Sequence, residues 1–246
     1  MLIAFFADIH ANRQAFESCL AQARDKGAQR IVLLGDYVGY GADPDWTVNT
    51  VMDLVDKGAV AVLGNHDAAI TNGREQMNVE ARIVIEWTRG ELGTKQRQFL
   101  AGLPLTINDD DRLYVHSEAS NPKSWLYVKS VTDAARSLAF DPAQITYCGH
   151  IHMPALYSMS ATAKMTGFTP TTGVPIQLLP GRRWLVVLGS VGQPRDGNPA
   201  ASYLMLDTDK REITYCRAPY DVAEAAARIK KKGLPLWLAD RLFTGS

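Results

Sequence analysis

Residues 2–10 read LIAFFADIH, an apolar run that ends abruptly at Asp8 and His10. A short apolar run bounded by polar residues is typical of a buried strand, and we predict one over residues 2–7. Helical periodicity follows over residues 12–26, with Gly27 as its stop signal. The beginning of the chain therefore predicts a strand and then a helix, with two polar side chains at the point where the strand ends.

The same alternation of strand and helix continues along the first half of the chain. We predict strands over residues 31–34 and 59–63 and helices over residues 45–57, 79–89 and 94–101. Such alternation indicates a mostly parallel sheet with helices on its faces, which is an α/β fold.

The second half of the chain is richer in predicted strands, which cover residues 112–115, 145–148, 184–188, 203–207 and 213–217. Residues 158–172 are rich in Ser, Thr and Gly and predict a turn or hairpin. Asp221 can cap a helix for which Glu224 completes a capping box, and a short helix is predicted over residues 234–242. The chain shows neither an internal repeat nor a linker, so we expect one domain over residues 1–246.

The composition favours a globular protein without a nucleic-acid-binding surface. Hydrophobic residues make up 46% of the 246 residues, and 26 Lys and Arg balance 26 Asp and Glu. A nucleic-acid binder usually shows a basic excess, and the N-terminus fits neither a signal peptide nor a membrane span. Three widely spaced cysteines, Cys19, Cys148 and Cys216, fit no metal-binding spacing and indicate the reducing cytoplasm.

Polar residues with metal-ligand chemistry follow five of the predicted strands. Because ligands bind beyond the carboxyl ends of strands in open α/β sheets, these side chains should converge on one edge of the fold. All five histidines of the chain lie just past an apolar run, and neutral imidazole combined with carboxylate suits divalent transition metals. The residues concerned, in strand order, are Asp8 and His10, Asp36, Asn65 and His66, His116, and His150 and His152.

Each of these elements has an ordinary structural explanation when it is taken alone. Residues 8–10 fit a polar strand end beside a helix cap, residues 35–36 fit a turn, and residues 64–67 fit a turn with a cap. The alternate residues His150 and His152 are harder to explain in this way, because they point to the same side of a strand end. The whole set in this order makes a purely structural explanation improbable.

The ordered set resembles the signature of the calcineurin-like metallophosphoesterase superfamily. The matching motifs are Asp8-x-His10, Gly35-Asp36, Gly64-Asn65-His66-Asp67, the lone His116 and Gly149-His150-x-His152. Residues 189–197, GSVGQPRDG, extend the resemblance to small bacterial members of the phosphodiesterase type. The resemblance covers essentially the whole chain and implies a four-layer sandwich of two packed mixed β-sheets flanked by helices.

The resemblance also implies two divalent cations as cofactors and a ligand set for each of them. Asp36 would bridge the cations, since a carboxylate has two oxygens. The mixed nitrogen and oxygen ligands admit Mn, Fe, Co, Ni or Zn, with Mn or Fe as the first choice from the family's habit. The other implied ligands are Asp8, His10 and His152 for one cation and Asn65, His116 and His150 for the other.

The catalytic roles implied by the resemblance fall on His66 and Asp67. A hydroxide that bridges the two cations would attack phosphorus directly, without a covalent intermediate. His66 would face the substrate and stabilise charge or protonate the leaving alkoxide. Asp67 would fix the orientation of the His66 ring.

Three further residues, Asn12, Tyr40 and Arg195, are candidates for substrate contacts. Arg195 lies in the glycine-containing loop 190–197 and could meet a phosphate, with a structural ion pair as the alternative. For Asn12 and Tyr40 the alternatives are a helix start and loop packing. Glu118 would be unfavourable beside an anionic substrate unless its carboxylate points away.

The expected partner is a small phosphate ester, of phosphodiester or nucleotide type. A serine/threonine phosphoprotein phosphatase is the second possibility, weakened because residues 39–41 read Gly-Tyr-Gly where that branch has a phosphate-binding arginine. A non-catalytic scaffold of the same fold is the alternative of another class, and the complete set of ligand positions argues against it. The sequence leaves the oligomeric state open.

Overall fold

The computed structural model describes residues 1–72 and 79–246. The first half of the chain contains β1 Leu2–Phe6, α1 Arg13–Asp25, β2 Arg30–Leu33, α2 Pro44–Asp56, β3 Val60–Ala61, α3 Asn65–Asn72, α4 Val79–Glu91, α5 Thr94–Ala101, β4 Thr106–Asp109 and β5 Arg112–Val115. The second half contains a short 3-10 helix Pro122–Ser124, α6 Val131–Phe140, β6 Ile145–Cys148, β7 Ala155–Ser160, β8 Met165–Phe168, β9 Ile176–Gln177, β10 Arg182–Val187, β11 Ala201–Asp207, β12 Glu212–Ala218, α7 Val222–Lys231 and α8 Leu236–Thr244.

The strands form two six-stranded sheets. The first sheet has the order β3-β2-β1-β11-β12-β9 and the second the order β4-β5-β6-β10-β7-β8. Both sheets are mixed: β1 pairs in parallel with β2 and antiparallel with β11, and β10 pairs in parallel with β6 and antiparallel with β7. Helices α1 and α2 cover the outer face of the first sheet and α6 that of the second. The predicted four-layer α/β sandwich is therefore confirmed.

Strand β1 is buried on both faces, which explains its continuous apolar run. Ile3, Phe5 and Ala7 belong to the apolar layer between the two sheets, whereas Ala4 and Phe6 pack toward the helices of the first sheet. This division follows from the period of two residues along a strand.

Aromatic side chains join the two sheets at the centre of this layer. The ring of Phe5 stacks on that of Tyr147 with centroids 4.3 Å apart and meets the edge of Tyr114 at 5.6 Å. Because Phe5 comes from the first sheet and both tyrosines come from the second, this cluster fixes the two sheets against each other.

Two short edge strands were not predicted from the sequence. Strands β4 and β9 lie at sheet edges, and their residues lack the apolar run by which the buried strands were recognised. The predicted hairpin over residues 158–172 corresponds to the β7–β8 pair. Asn12 accepts from the Ala15 amide and Asp221 from the Glu224 amide, so both predicted caps are present, but the Glu224 side chain does not complete the predicted capping box. One domain over residues 1–246 stays a prediction.

Within the described part of the chain, no helix has the length and apolarity that crossing a bilayer requires.

Replacing Phe5 by alanine should lower the free energy of unfolding by about 3–5 kcal/mol, because it removes a fully buried ring from the layer between the sheets. Urea denaturation measures this loss. The matched control is Phe243→Ala, since the Phe243 side chain is 51% exposed. Equal losses for the two variants would contradict the central role of Phe5.

Candidate metal centre

The seven predicted ligand residues lie together where strands of both sheets end. Asp8 and His10 follow β1, Asp36 follows β2, and Asn65 is the first residue of α3. The second sheet contributes the residues that follow β5 and β6, namely His116, His150 and His152. Six of the seven side chains are buried, and Asn65 is partly buried.

Four of these residues form a first ligand group. Potential ligand atoms of Asp8, His10, Asp36 and His152 all lie within 4.8 Å of one another. The Nε2 atoms of His10 and His152 are 3.0 Å apart, and His152 Nε2 is 3.5 Å from Asp8 Oδ1. Asp8 is held in place because both of its oxygens accept from the backbone N–H of His150.

A second ligand group contains Asp36, His116 and His150, whose ligand atoms also lie within 4.8 Å of one another. His116 Nε2 is 3.1 Å from His150 Nδ1 and 3.1 Å from Asn65 Oδ1. The predicted ligand Asn65 therefore belongs to this second group.

The carboxylate of Asp36 is shared by the two groups. Its Oδ2 atom lies 3.7 Å from His10 Nε2 and 3.3 Å from His116 Nε2. Its Oδ1 atom accepts from the backbone N–H of His66 at 2.9 Å. One oxygen thus faces both groups of imidazole nitrogens while the other fixes the orientation of the carboxylate.

Backbone carbonyl groups set the tautomer of four of these histidines. A carbonyl oxygen can only accept, so the ring nitrogen that it meets carries the proton, and in the neutral ring the other nitrogen presents its lone pair to the site. The contacts are His10 Nδ1 with Val38 at 3.0 Å, His116 Nδ1 with Leu34 at 2.7 Å, His150 Nε2 with Trp125 at 2.8 Å and His152 Nδ1 with Gln193 at 2.7 Å.

These tautomers make the site fit cations. In the neutral rings the facing nitrogens of His10 and His152 are both acceptors, and the same holds for His116 and His150. Two lone pairs about 3 Å apart repel each other unless a positive group lies near both, as in a metal site. The buried set of imidazole nitrogens and carboxylate oxygens therefore fits divalent cations.

In the metal-free site the histidines differ in their protonation. Burial lowers the pKa of His10 and His152 and favours the neutral, ligand form of these rings. Although burial opposes it, the neighbouring Asp36 carboxylate raises the pKa of His116 to about 9. Despite its burial, Asp36 has a pKa well below its ordinary value because His116 and His66 lie beside it. A positive charge beside Asp36 is thus strongly favoured.

Five of the seven predicted ligand residues have strained backbone conformations. Asp8, His10, Asp36, His150 and His152 all have positive φ angles, between 49° and 71°. Non-glycine residues in this left-handed region cost on the order of 1–3 kcal/mol each and are concentrated at functional sites. The surrounding packing has to enforce these conformations, and their clustering here is independent support for a functional centre.

His66 lies beside the ligand groups rather than within them. Its ring meets that of His10 edge-on with centroids 4.9 Å apart and that of Tyr40 at 4.6 Å. Its Nδ1 atom is buried and has no hydrogen-bond partner. The ring orientation is therefore fixed by packing between two other rings.

The prediction that Asp67 orients the His66 ring is wrong. The Asp67 carboxylate instead accepts from the backbone N–H of Asp36 at 2.8 Å, of Tyr37 at 3.0 Å and of Gly64 at 3.1 Å. Backbone amides compete successfully for this carboxylate because they are buried and need an acceptor. Asp67 therefore fixes the loop that carries Asp36.

The three candidates for substrate contacts differ in their positions. Asn12 caps α1 and donates to the Gly192 carbonyl at 2.9 Å, so its side chain is used structurally. Tyr40 packs against His10 with centroids 4.5 Å apart, at the edge of the ligand groups. Arg195 donates to Gln193 Oε1 at 3.1 Å, and within the described residues the alternative of a structural ion pair is not observed.

The carboxylate of Glu118 points away from the ligand groups. It accepts from the backbone N–H of Ser120 at 3.1 Å and from the hydroxyl of the same residue, and lies 3.5 Å from Arg136 Nε. Glu118 thus fixes a neighbouring loop.

Sequence reasoning missed Tyr127, whose ring stacks on that of His150 with centroids 4.3 Å apart and an interplanar angle of 13°. Two aromatic residues within Trp125-Leu126-Tyr127 indicated a possible ring contact, but nothing in the sequence placed this stretch beside His150.

Comparison with known proteins agrees with this geometry. The model of the calcineurin-like phosphoesterase superfamily domain matches residues 1–211. An uncharacterized protein of Methanocaldococcus jannaschii, MJ0912, is 33% identical over 99% of this chain and 98% of its own length, and the phosphodiesterase YfcE of Escherichia coli is 27% identical over 92% and 98%. The crystal structure of a metallophosphoesterase from Sphaerobacter thermophilus superposes with a TM-score of 0.88 and 32% identity over 100% of both chains.

Replacing Asp67 by alanine should lower the free energy of unfolding of the metal-free protein by about 3 kcal/mol, because the buried amides of Asp36, Tyr37 and Gly64 lose their acceptor. Thermal and urea unfolding measure the loss. Asp53→Ala is the matched control, since Asp53 is exposed on α2. A variant as stable as the wild type would show that these amide contacts do not hold the Asp36 loop.

Proposed function

Because the chain belongs to the calcineurin-like phosphoesterase superfamily, we propose that it hydrolyses a phosphodiester or nucleotide-type phosphate ester at a dinuclear metal centre. The chain is a metal-dependent phosphoric ester hydrolase, and the proposal specifies the centre and the substrate class. The observation that carries it is the position of Asp36 Oδ2, which lies close to a histidine nitrogen of each ligand group. A phosphodiesterase, YfcE, among the relatives supports the substrate class.

We assign the ligands of the two cations by ligand group. Asp8, His10 and His152 would hold one cation, Asn65, His116 and His150 the other, and Asp36 both. Bound cations would supply Lewis acidity, which lowers the pKa of a water molecule and offsets the negative charge of a phosphoryl group. Mn or Fe remains the first choice for the cations.

His66 is the residue that we propose to act on the substrate directly. Burial lowers its pKa, so the ring enters the reaction as neutral imidazole and can donate one N–H to a phosphoryl or leaving-group oxygen. The rings of His10 and Tyr40 restrict its motion, which lets it meet this oxygen without reorganisation. The contribution of Asp67 is indirect, through the loop that carries Asp36.

The proposed function is tested by assays of the metal-reconstituted protein with Mn, Fe, Ni or Zn. The substrates are a bis-nitrophenyl phosphodiester, a nitrophenyl phosphomonoester, a dinucleoside tetraphosphate and a phosphopeptide. We expect cleavage of the diester or the tetraphosphate at a higher kcat/KM than the phosphopeptide. Cleavage of none of the four would favour a scaffold, and preference for the phosphopeptide would favour a protein phosphatase.

His66→Ala is the matched variant for these assays. We expect turnover to fall by roughly 10²–10⁴-fold while elemental analysis still finds the wild-type metal content, because the variant loses a charge-stabilising donor and no ligand. Loss of a metal ion together with the activity would make His66 a ligand and contradict the assigned role.

Replacing Asp36 by asparagine should weaken the binding of both cations together, because the neutral amide removes the negative charge that faces both ligand groups. Elemental analysis after dialysis against a weak chelator measures metal content, with Asp53→Asn as the exposed-carboxylate control. Selective loss of a single ion would show that Asp36 serves only one group.

A further inference from the structure

The end of α8 is docked onto the loop that carries Arg195. The Gly197 N–H donates to the Gly245 carbonyl at 2.8 Å, and the Gly245 N–H donates to the Arg241 carbonyl at 2.9 Å. Gly245 has a φ angle of 66°, and a side chain there would meet the backbone of Asn198 at 2.6 Å. The last turn of α8 and the Arg195 loop are therefore held in direct contact.

Two arginines lie over neighbouring aromatic rings, one of which, Tyr40, packs on His10 at the edge of the metal centre. The guanidinium carbon of Arg195 lies 5.8 Å from the ring centroid of Tyr40, and that of Arg241 lies 5.2 Å from the ring of Trp237. The rings of Tyr40 and Trp237 are 6.4 Å apart. Burial and the nearby charge of Arg195 lower the pKa of Arg241, as expected for two like charges close together.

Several donors in this cluster lack an acceptor. Arg195 Nε and Trp237 Nε1 are both buried without a hydrogen-bond partner. Arg195 Nη2 donates to the Gln193 side chain and its guanidinium also interacts with the Tyr40 hydroxyl, both uncharged partners, and Arg241 Nε donates to the Ser246 backbone oxygen. No Asp or Glu side chain of the described residues forms an ion pair with either arginine, although most other buried or half-buried arginines here have one. Buried N–H donors without a partner, beside two positively charged guanidinium groups, are what an anion binds.

We propose that Arg195, Arg241 and Trp237 form a second anion subsite, which binds a phosphate group of the substrate other than the one that is hydrolysed. The subsite adjoins the first ligand group, because the Arg195 amide donates to the His152 carbonyl at 3.2 Å and Tyr40 packs on His10. The inference rests on the proposed phosphoesterase function, since it assigns the group bound beside the reacting phosphate.

A second phosphate site selects substrates by their charge distribution. Guanidinium groups bind phosphate through paired N–H donors, and the indole N–H of Trp237 adds a buried donor that has no hydrogen-bond partner among the described residues. A simple diester has one phosphoryl group and leaves these donors unpaired. A nucleotide-type substrate with a polyphosphate chain can occupy the metal centre and the subsite together, and is therefore the substrate class that the cluster favours.

The test compares kcat/KM for diadenosine tetraphosphate with kcat/KM for the bis-nitrophenyl phosphodiester, using the metal-loaded protein and its Arg241→Gln and Trp237→Phe variants. We expect the ratio of the two values to fall about tenfold or more for Arg241→Gln and by a smaller factor for Trp237→Phe, because each removes a donor that only the tetraphosphate uses. A rise in KM for the tetraphosphate should account for the fall.

The matched control is Arg13→Gln, because Arg13 also lies over a tryptophan, at 5.0 Å from the Trp46 ring, and its side chain is 40% exposed and paired with Glu17. The ratio should be unchanged in this variant. An unchanged ratio for Arg241→Gln, or a wild type that cleaves the diester and not the tetraphosphate, would overturn the subsite while leaving the phosphoesterase function intact. A wild type that cleaves no phosphate ester would overturn the proposed function itself.

Discussion

The buried carboxylate of Asp36 has to satisfy two groups of imidazole nitrogens at once, and much of the surrounding structure serves to hold it there. Its Oδ1 atom accepts from the His66 amide, while Asp67 fixes the backbone on either side of it through the amides of Asp36 and Tyr37. Gly64 packs so closely against Asp36 that a Cβ atom at this position would strike its backbone nitrogen and Oδ1. A buried negative charge is costly unless it is compensated, so this loop is stable only with positive charge beside it.

The positions of the potential ligand atoms are fixed by the backbone as well as by the side chains. Five of the proposed ligands are held in the left-handed region, and four histidines donate from one ring nitrogen to a fixed carbonyl oxygen. The left-handed conformations cost stability that the packed sheets have to supply, and both features leave the ligand atoms preorganised. A centre of this kind exchanges stability for fixed ligand positions, as expected of a functional site.

The sequence predicted the elements of the site better than their interactions. The apolar strand ends at Asp8, Asp36 and His116 are local patterns, so both the fold and the convergence of the ligand residues could be inferred. The acceptor role of Asp67 depends on which buried amides need a partner, and that is decided only once the chain is folded. The contact of Tyr127 with His150 and that of Trp237 with Tyr40 likewise join distant segments for which no local signal exists.

The position of the centre between the two sheets couples metal binding to the fold. Asp8, His10 and Asp36 follow strands of the first sheet, whereas His116, His150 and His152 follow strands of the second. The first ligand group takes His152 from the second sheet, and the second group takes Asp36 from the first, so each group spans the interface that Phe5 and Tyr147 form deeper in the core. Cations bound by these groups would cross-link the sheets and stabilise the folded state by mass action. The site in turn depends on the apolar layer, because that layer fixes the separation of the two sets of strand ends and with it the distances between the ligand atoms.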